Sequence, residues 1–171
     1  MPTKQKSGFT LIELIVTVAV MAIILAVMLA NYNAGGADFR VENQTRQVMA
    51  LLRKAEAFAN ASKKFNSQLP SGYGVNLEVN KNPVLFANFD GNKIYDVGVD
   101  GAVETLLLSA GLKISQVAPV GVLNIFYEPP KRDIYINGVS AGGASVTIAD
   151  VQSSATRVLN ITSHGQISIA N

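Results

Sequence analysis

The stretch that decides the fold is residues 9–30, which read FTLIELIVTVAVMAIILAVMLA. Its only charged side chain is Glu13, and its only hydroxyl groups belong to Thr10 and Thr17. About 20 apolar residues in a helix rise roughly 30 Å, the thickness of the hydrocarbon core of a bilayer. The stretch is therefore predicted to span a membrane as a helix. A carboxylate deep inside such a helix costs on the order of 2.5 kcal/mol or more, so Glu13 is predicted to have a function.

The residues before this stretch predict its orientation and its fate. Residues 1–8 read MPTKQKSG and contain Lys4 and Lys6 but no acidic residue. Two lysines beside the first span keep that end in the cytoplasm and send the rest of the chain across. A secretory signal peptide has a shorter apolar core, of about 7–15 residues, that ends in a small-residue cleavage site. Here the small residue, Gly8, precedes the core, so the span is predicted to be retained.

The sequence GFTLIE at residues 8–13, between a basic leader and an uninterrupted apolar span, resembles the signal of type IV prepilins. The resemblance implies that a membrane peptidase cuts between Gly8 and Phe9, and that Phe9 becomes an N-methylated amino terminus. It also implies that Glu13, the fifth residue of the mature chain, acts in assembly. The alternative is an ordinary single-span anchor in which Glu13 faces the lipid headgroups.

Composition limits the classes of protein that the rest of the chain could be. There is no cysteine, so the protein has no disulfide and its head must be stabilised by packing. Lys4 and Lys6 account for the formal net charge of +2, and from residue 37 onward 12 basic residues face 11 acidic ones. This is not the strongly basic balance of a dedicated nucleic-acid-binding protein.

After the span the pattern changes twice. Residues 31–36, NYNAGG, predict a flexible break because glycine and asparagine weaken a helix. An amphipathic helix is predicted from residue 37 to about residue 65. Its apolar stripe has spacings of three, four and seven and consists of Val41, Val48, Leu51, Leu52, Ala55, Phe58 and Ala59. Short strands with turn residues between them are predicted at 73–79, 83–89, 106–108, 112–117, 122–127, 133–136, 146–149, 157–162 and 166–169.

The predicted fold class is α+β, with the two helices followed by an antiparallel β-rich head. This order is similar to the architecture of pilins and pseudopilins. The head resembles H-type pseudopilins and FimT-like minor pilins at residues 51–64, 86–108 and 155–169. The predicted organisation is a leader at 1–8, a membrane and filament-core helix at 9–30, the break at 31–36, and one head domain at 37–171.

One loop of the head has candidate metal ligands. Asp90, Asn92 and Asp96, with Asp100 as a fourth, lie within eleven residues, and Gly91 allows a turn. Calcium prefers such oxygen ligands, but the loop lacks the full EF-hand spacing and its closing bidentate glutamate. The alternative, which the sequence favours, is a polar hairpin in which these side chains form Asx turns.

Other site chemistry is sparse. Lys131, Arg132 and Arg157 are candidate contacts to nucleic-acid phosphates, provided that they cluster on one face. The only histidine, His164, is predicted to lie in a solvent-exposed turn between two strands. No nucleophile elbow or phosphate-binding loop is evident, so the protein is predicted not to be an enzyme and to need no cofactor.

The resemblance implies a structural role: a minor pilin or pseudopilin of a type IV pilus or a type II secretion filament. The implied partners are other filament subunits, the prepilin peptidase, and an assembly platform with its ATPase. The implied location is the cytoplasmic membrane, crossed once with the head outside the cytoplasm, and later a filament in the periplasm or on the cell surface. The alternative is a filament-tip adhesin or DNA-uptake module that uses the head surface.

Overall fold

The computed structural model describes residues 10–119, 121–130, 134–140 and 142–170, with their side chains except those of residues 30–35. In these ranges the chain forms one long helix followed by nine strands in two antiparallel sheets. The predicted α+β class is therefore confirmed. The chain divides into two compact units, Met1–Gly36 and Ala37–Asn171.

Helix α1 covers Leu11–Asn60 as one continuous element. The predicted interruption of the helix at residues 31–36 is therefore wrong. Each glycine in a helix interior costs about 1 kcal/mol relative to alanine. The helix-forming segments on both sides of residues 31–36 outweigh that cost. The helix also ends before residue 65, where Ser62 N–H donates to Ala59 O at 2.9 Å and Ser62 adopts a positive φ of 45°.

The head strands, numbered in chain order, are β1 Gly72–Glu78, β2 Val84–Asn88, β3 Gly101–Thr105, β4 Leu112–Ala118, β5 Val122–Tyr127, β6 Ile134–Ile136, β7 Ala144–Asp150, β8 Thr156–Ile161 and β9 Ile167–Ala170. The first sheet has the order β3-β2-β1-β5-β6, and the second has the order β4-β7-β8-β9. All of the pairings are antiparallel. Both sheets are built largely from hairpins, as the frequent turn residues predict.

Eight of the nine predicted strands are confirmed to within a few residues at their ends. The exception is the strand predicted at 106–108, which is wrong because the pairing partner of β2 is Gly101–Thr105. Gly101–Thr105 has little strand character of its own, so its pairing with β2 decides its structure. Gly101 is required there because a Cβ atom would collide with the ring of Phe65.

One hydrophobic core joins the second half of α1 to both sheets. The predicted stripe is confirmed, since all of its members are buried except Phe58, which is partly buried. It packs with inward-facing strand residues of the first sheet, such as Val75 and Ile125, and of the second, such as Val146 and Leu159. The period of the stripe therefore identified the buried face of the helix.

Aromatic rings form a second cluster outside this core. The Phe86 ring lies 5.2 Å from that of Tyr95 and 6.3 Å from that of Phe126 between ring centroids. Gly74 makes room for it, since a Cβ atom there would lie 2.6 Å from Phe86 Cζ. Tyr95 belongs to the loop between β2 and β3, so this cluster holds the loop of the candidate metal ligands against the first sheet.

Candidate functional site at the start of the helix

Thr10 and Glu13 form a reciprocal cap at the start of α1. The Glu13 carboxylate accepts from Thr10 N–H and from the Thr10 hydroxyl through Oε2, at 2.9 Å in both cases. Glu13 N–H in turn donates to Thr10 Oγ1 at 3.4 Å. This is the capping box, in which a threonine and a glutamate three residues later satisfy backbone donors that the helix leaves free. The only charge of the apolar stretch is thus held within its own chain, at the end of the helix.

The helix that follows has an exposed apolar surface. From Leu11 to Leu29 its large apolar side chains are 48–76% exposed, on every face of the helix. The segment Leu11–Leu29 has a mean hydropathy of 2.8 over its 19 residues. Its length and composition are sufficient for a helix that crosses a membrane. The single hydroxyl inside it, on Thr17, donates to Leu14 O at 2.8 Å. Such a surface needs a covering of lipid or of other apolar helices.

The predicted cleavage site is at Gly8 and Phe9. Both lie outside the described residues, so cleavage between them and methylation of Phe9 stay predictions. The first described residue, Thr10, directly follows the predicted new amino terminus. Glu13 is therefore four positions from the amine that cleavage would create.

The loop between β2 and β3 brings the three candidate metal ligands together. The Asn92 Nδ2 atom donates to Asp90 Oδ2 at 2.8 Å and to Asp96 Oδ2 at 2.6 Å. Asp100 accepts two backbone N–H groups, from Phe89 at 3.0 Å and from Asp96 at 2.9 Å. These contacts are those of a polar loop closed by aspartate and asparagine side chains.

The centre of this loop is Asn88, which the sequence analysis did not identify. Its side chain is fully buried, and its Nδ2 atom lies 3.0–3.4 Å from five oxygen atoms. These are one side-chain oxygen each of Asp90 and Asn92, the backbone oxygen of Ile94, and both carboxylate oxygens of Asp100. An amide nitrogen has two protons, so it cannot donate to all five. The side-chain oxygens among them each accept from another N–H donor, and metal binding by this loop stays a prediction.

The candidate nucleic-acid contacts are only partly described. Lys131 and Arg132 lie outside the described residues. The Arg157 side chain is 19% exposed, and its Nη1 atom donates to Thr156 O at 2.8 Å and lies 3.5 Å from Asp38 Oδ1. A guanidinium beside a carboxylate attracts phosphate less strongly than a free one does. The nucleic-acid site therefore stays a prediction.

Two features were not predicted from the sequence, for different reasons. The capping box has a local signature, Thr-x-x-Glu before an apolar run, which was present at residues 10–13. The Asn88 cluster has no comparable signature, because Asn88 ends a strand and its partners come from the following twelve residues. Only the hairpin geometry brings them to one point.

Comparison with known proteins gives one match. Residues 3–29 match the family model of the prokaryotic N-terminal methylation motif. The matched segment is similar to the N-terminal segment of type IV pilin-like proteins. The match spans the predicted cleavage site and Glu13 and ends before the head. No curated protein and no solved structure matches the chain.

The motif indicates the general class of protein that this chain is similar to. It is the motif of precursors that the prepilin peptidase processes, and of structural subunits rather than enzymes. With the apolar helix, it indicates a precursor anchored in the inner membrane. Its implied partners are filament subunits and the peptidase. The resemblance of the head to H-type pseudopilins and FimT-like minor pilins stays a prediction.

Proposed function

We propose that the protein is a minor pilin or pseudopilin, a structural subunit of a type IV pilus or a type II secretion filament. In this proposal the peptidase cuts after Gly8, and the mature chain enters the filament through its N-terminal helix. The observation that carries the proposal is the position of Glu13. It is the one charged group of the apolar stretch 9–30, and it lies four residues after the predicted new amino terminus.

The capping box explains how the subunit tolerates this charge before assembly. In the membrane, the Glu13 carboxylate is satisfied by two donors of Thr10, at the end of the helix where the interface is near. Both donors belong to a residue next to Phe9, so the carboxylate already points towards the amino terminus. On assembly it pairs with the amine of an adjacent subunit. A charge-assisted hydrogen bond in an apolar surrounding is stronger than a neutral one and would set the axial register of the subunits.

The exposed apolar helix supplies the rest of the assembly energy. In the membrane it is covered by lipid, with the leader in the cytoplasm and the head outside. In the filament the same side chains pack against neighbouring helices. Since lipid and helix surfaces are both apolar, this transfer gains little from burial alone. The polar pair at Glu13 therefore decides whether and where the subunit is incorporated.

The test is to separate the charge of Glu13 from its capping role. Glu13→Gln keeps the side-chain length and a capping-box residue but removes the charge. Glu13→Ala removes both. We expect both variants to be membrane-inserted and cleaved, and incorporation into sheared filaments to fall at least about tenfold, which corresponds to 1.4 kcal/mol.

Mass spectrometry of the mature chain is the control for processing. Normal incorporation of Glu13→Gln alongside a defect in Glu13→Ala would show that the carboxylate acts only as a helix cap. Normal incorporation of both would show that Glu13 has no part in assembly.

A further inference from the structure

The last strand, β9, is an edge of the second sheet, which has the order β4-β7-β8-β9. On one side β9 pairs with β8, and on the other side no described strand pairs with it. An edge strand presents unpaired backbone N–H and C=O groups, to which another strand can bind. The proposed assembly role uses the N-terminal helix and leaves this edge unused.

The hydrogen-bond pattern shows which backbone groups of β9 face outward. Thr162 N–H donates to Gln166 O at 2.9 Å, so these two residues form a hydrogen-bonded pair. Along an antiparallel pair of strands, hydrogen-bonded and non-hydrogen-bonded pairs alternate. The register therefore makes Ile167 and Ile169 the non-hydrogen-bonded positions of β9. Their N–H and C=O groups point away from β8, and no backbone group of the described residues bonds to them.

The other three sheet edges each have a feature that hinders pairing with another strand. In β3, Glu104 pairs with Lys54 of α1, and the register with β2 is broken by a shift. In β4, the register shifts between Ile114 and Gln116, and Asn80 N–H already donates to Ile114 O at 3.0 Å. Strand β6 has only three residues. Charges, bulges, short length and covering loops are the usual protection of edge strands.

The described residues of β9 have none of these features. Their sequence, Ile-Ser-Ile-Ala, contains no charge and no proline, and their register with β8 runs without a shift. The side chains of Ile167 and Ile169 pack against the core but stay partly exposed, and Ser168 is exposed on the opposite face. A strand added to this edge would cover the two isoleucines. The edge therefore suits an uncharged strand with apolar residues at alternate positions.

A second copy of β9 has this chemistry. If the two strands run antiparallel, Ile167 of one copy lies opposite Ile169 of the other, and each outward N–H donates to an outward C=O. Ser168 then lies opposite Ser168 as a non-hydrogen-bonded pair, and no like charges meet between the two strands. We propose that two copies of this chain pair antiparallel through β9, which joins their second sheets into one continuous sheet.

Membrane anchoring makes such a pair feasible. A contact through one short strand is small, so in dilute solution it is weak and transient. The predicted span confines both copies to one membrane and raises their effective concentration. Pairing requires this anchoring but not incorporation into a filament, so the pair and the filament role can fail independently.

The first test is disulfide cross-linking at the centre of the pair, because the chain contains no cysteine of its own. Membranes from cells that express the intact chain are oxidised with copper phenanthroline and analysed on non-reducing gels. Ser168→Cys should give a covalent dimer, because a non-hydrogen-bonded pair places two Cα atoms about 4.5 Å apart, within the span of a disulfide. Ser154→Cys, exposed between β7 and β8, is the matched control and should stay monomeric.

Two neighbouring positions test the register. Gln166 of one copy would lie opposite Ala170 of the other, whereas the two Gln166 residues would be roughly 14 Å apart along the strands. Gln166→Cys and Ala170→Cys chains are co-expressed with tags of different size. They should form the mixed dimer in preference to either dimer of identical chains.

The outward N–H of Ile169 can be removed without breaking a bond to β8. In the Ser168→Cys chain, Ile169→Pro removes this donor, and Ile169→Ala keeps it while shortening the same side chain. Ile169→Pro should lower the dimer yield at least about fivefold, since the bond is lost in both copies. Ile169→Ala should keep most of the dimer. Resistance of the head to limited proteolysis in both variants shows that it stays folded.

Four outcomes would overturn the proposed pair. Ser168→Cys could stay monomeric, which would mean that the second copy's β9 does not cover this edge. Ser154→Cys could cross-link as efficiently, which would mean that the gels report random collision. Dimers of Gln166→Cys alone could predominate over the mixed dimer, or Ile169→Pro could give the same yield as Ile169→Ala; either result excludes the antiparallel backbone pairing.

Discussion

The placement of the head core can be tested at Leu52. This residue is fully buried in the core that joins α1 to both sheets. Truncation to alanine removes roughly 1.5–3 kcal/mol of burial energy and leaves a cavity, because elements on several sides hold the site open. We expect Leu52→Ala to lower the free energy of unfolding by about 3 kcal/mol. For a domain of this size that lowers the melting temperature by roughly 10 °C.

Leu52→Asp should have a larger effect, since it adds the cost of an ion without a partner in the core. The sum approaches the whole stability of an ordinary domain, about 5–15 kcal/mol, so this variant should not fold. Ala50→Asp is the matched control: it introduces the same charge on the same helix at an exposed position, and should change stability by less than about 1 kcal/mol.

The assay is thermal unfolding of residues 37–171, followed by circular dichroism. The parent should be soluble and unfold cooperatively, because α1 supplies the apolar stripe that the sheets need. If Leu52→Asp melts like the parent, the stripe does not form the core of the isolated head. If Ala50→Asp is as damaging as Leu52→Asp, charge on the helix, rather than burial, is responsible.

Two other predictions concern processing and metal binding. Gly8→Val should remain an uncut precursor in the membrane, because a large side chain does not fit a peptidase site shaped for glycine. If mass spectrometry of this variant detects a mature chain that starts at Phe9, the prepilin assignment is wrong. Calcium and chelator should give the same melting temperature for residues 37–171, because other N–H donors already satisfy the oxygens around Asn88. A calcium-dependent rise of several degrees that Asp96→Ala abolishes would show instead that the loop is a metal site.

Local patterns predicted much of the molecule. The apolar span, the prepilin-like signal and the helical stripe each depend on neighbouring residues, and each is legible from spacing alone. Most strands were predicted for the same reason, since period-two alternation and turn residues are local. Glu13 was identified from sequence as the candidate assembly residue, which stays a prediction, and the missed cap to Thr10 also had a local signature.

Errors arose where non-local or cooperative energies decide the structure. Residues 31–36 contain poor helix formers, yet the helix continues through them because helical order propagates from both sides. Residues 106–108 are more strand-like than 101–105, yet β2 pairs with the latter. Strand pairing depends on register with a partner distant in sequence, which local propensity does not report.

The sequence by itself thus determined that this chain has a helix long and apolar enough to span a membrane, with one carboxylate near its start, and a head that buries one face of a second helical segment. Both follow from the transfer of apolar side chains out of water, which depends on residue type and spacing. Tertiary structure decided which polar groups of the head meet. It placed Asn88 among five oxygens and buried the Tyr127 hydroxyl without a partner among the described residues, because such arrangements depend on residues that only folding brings together.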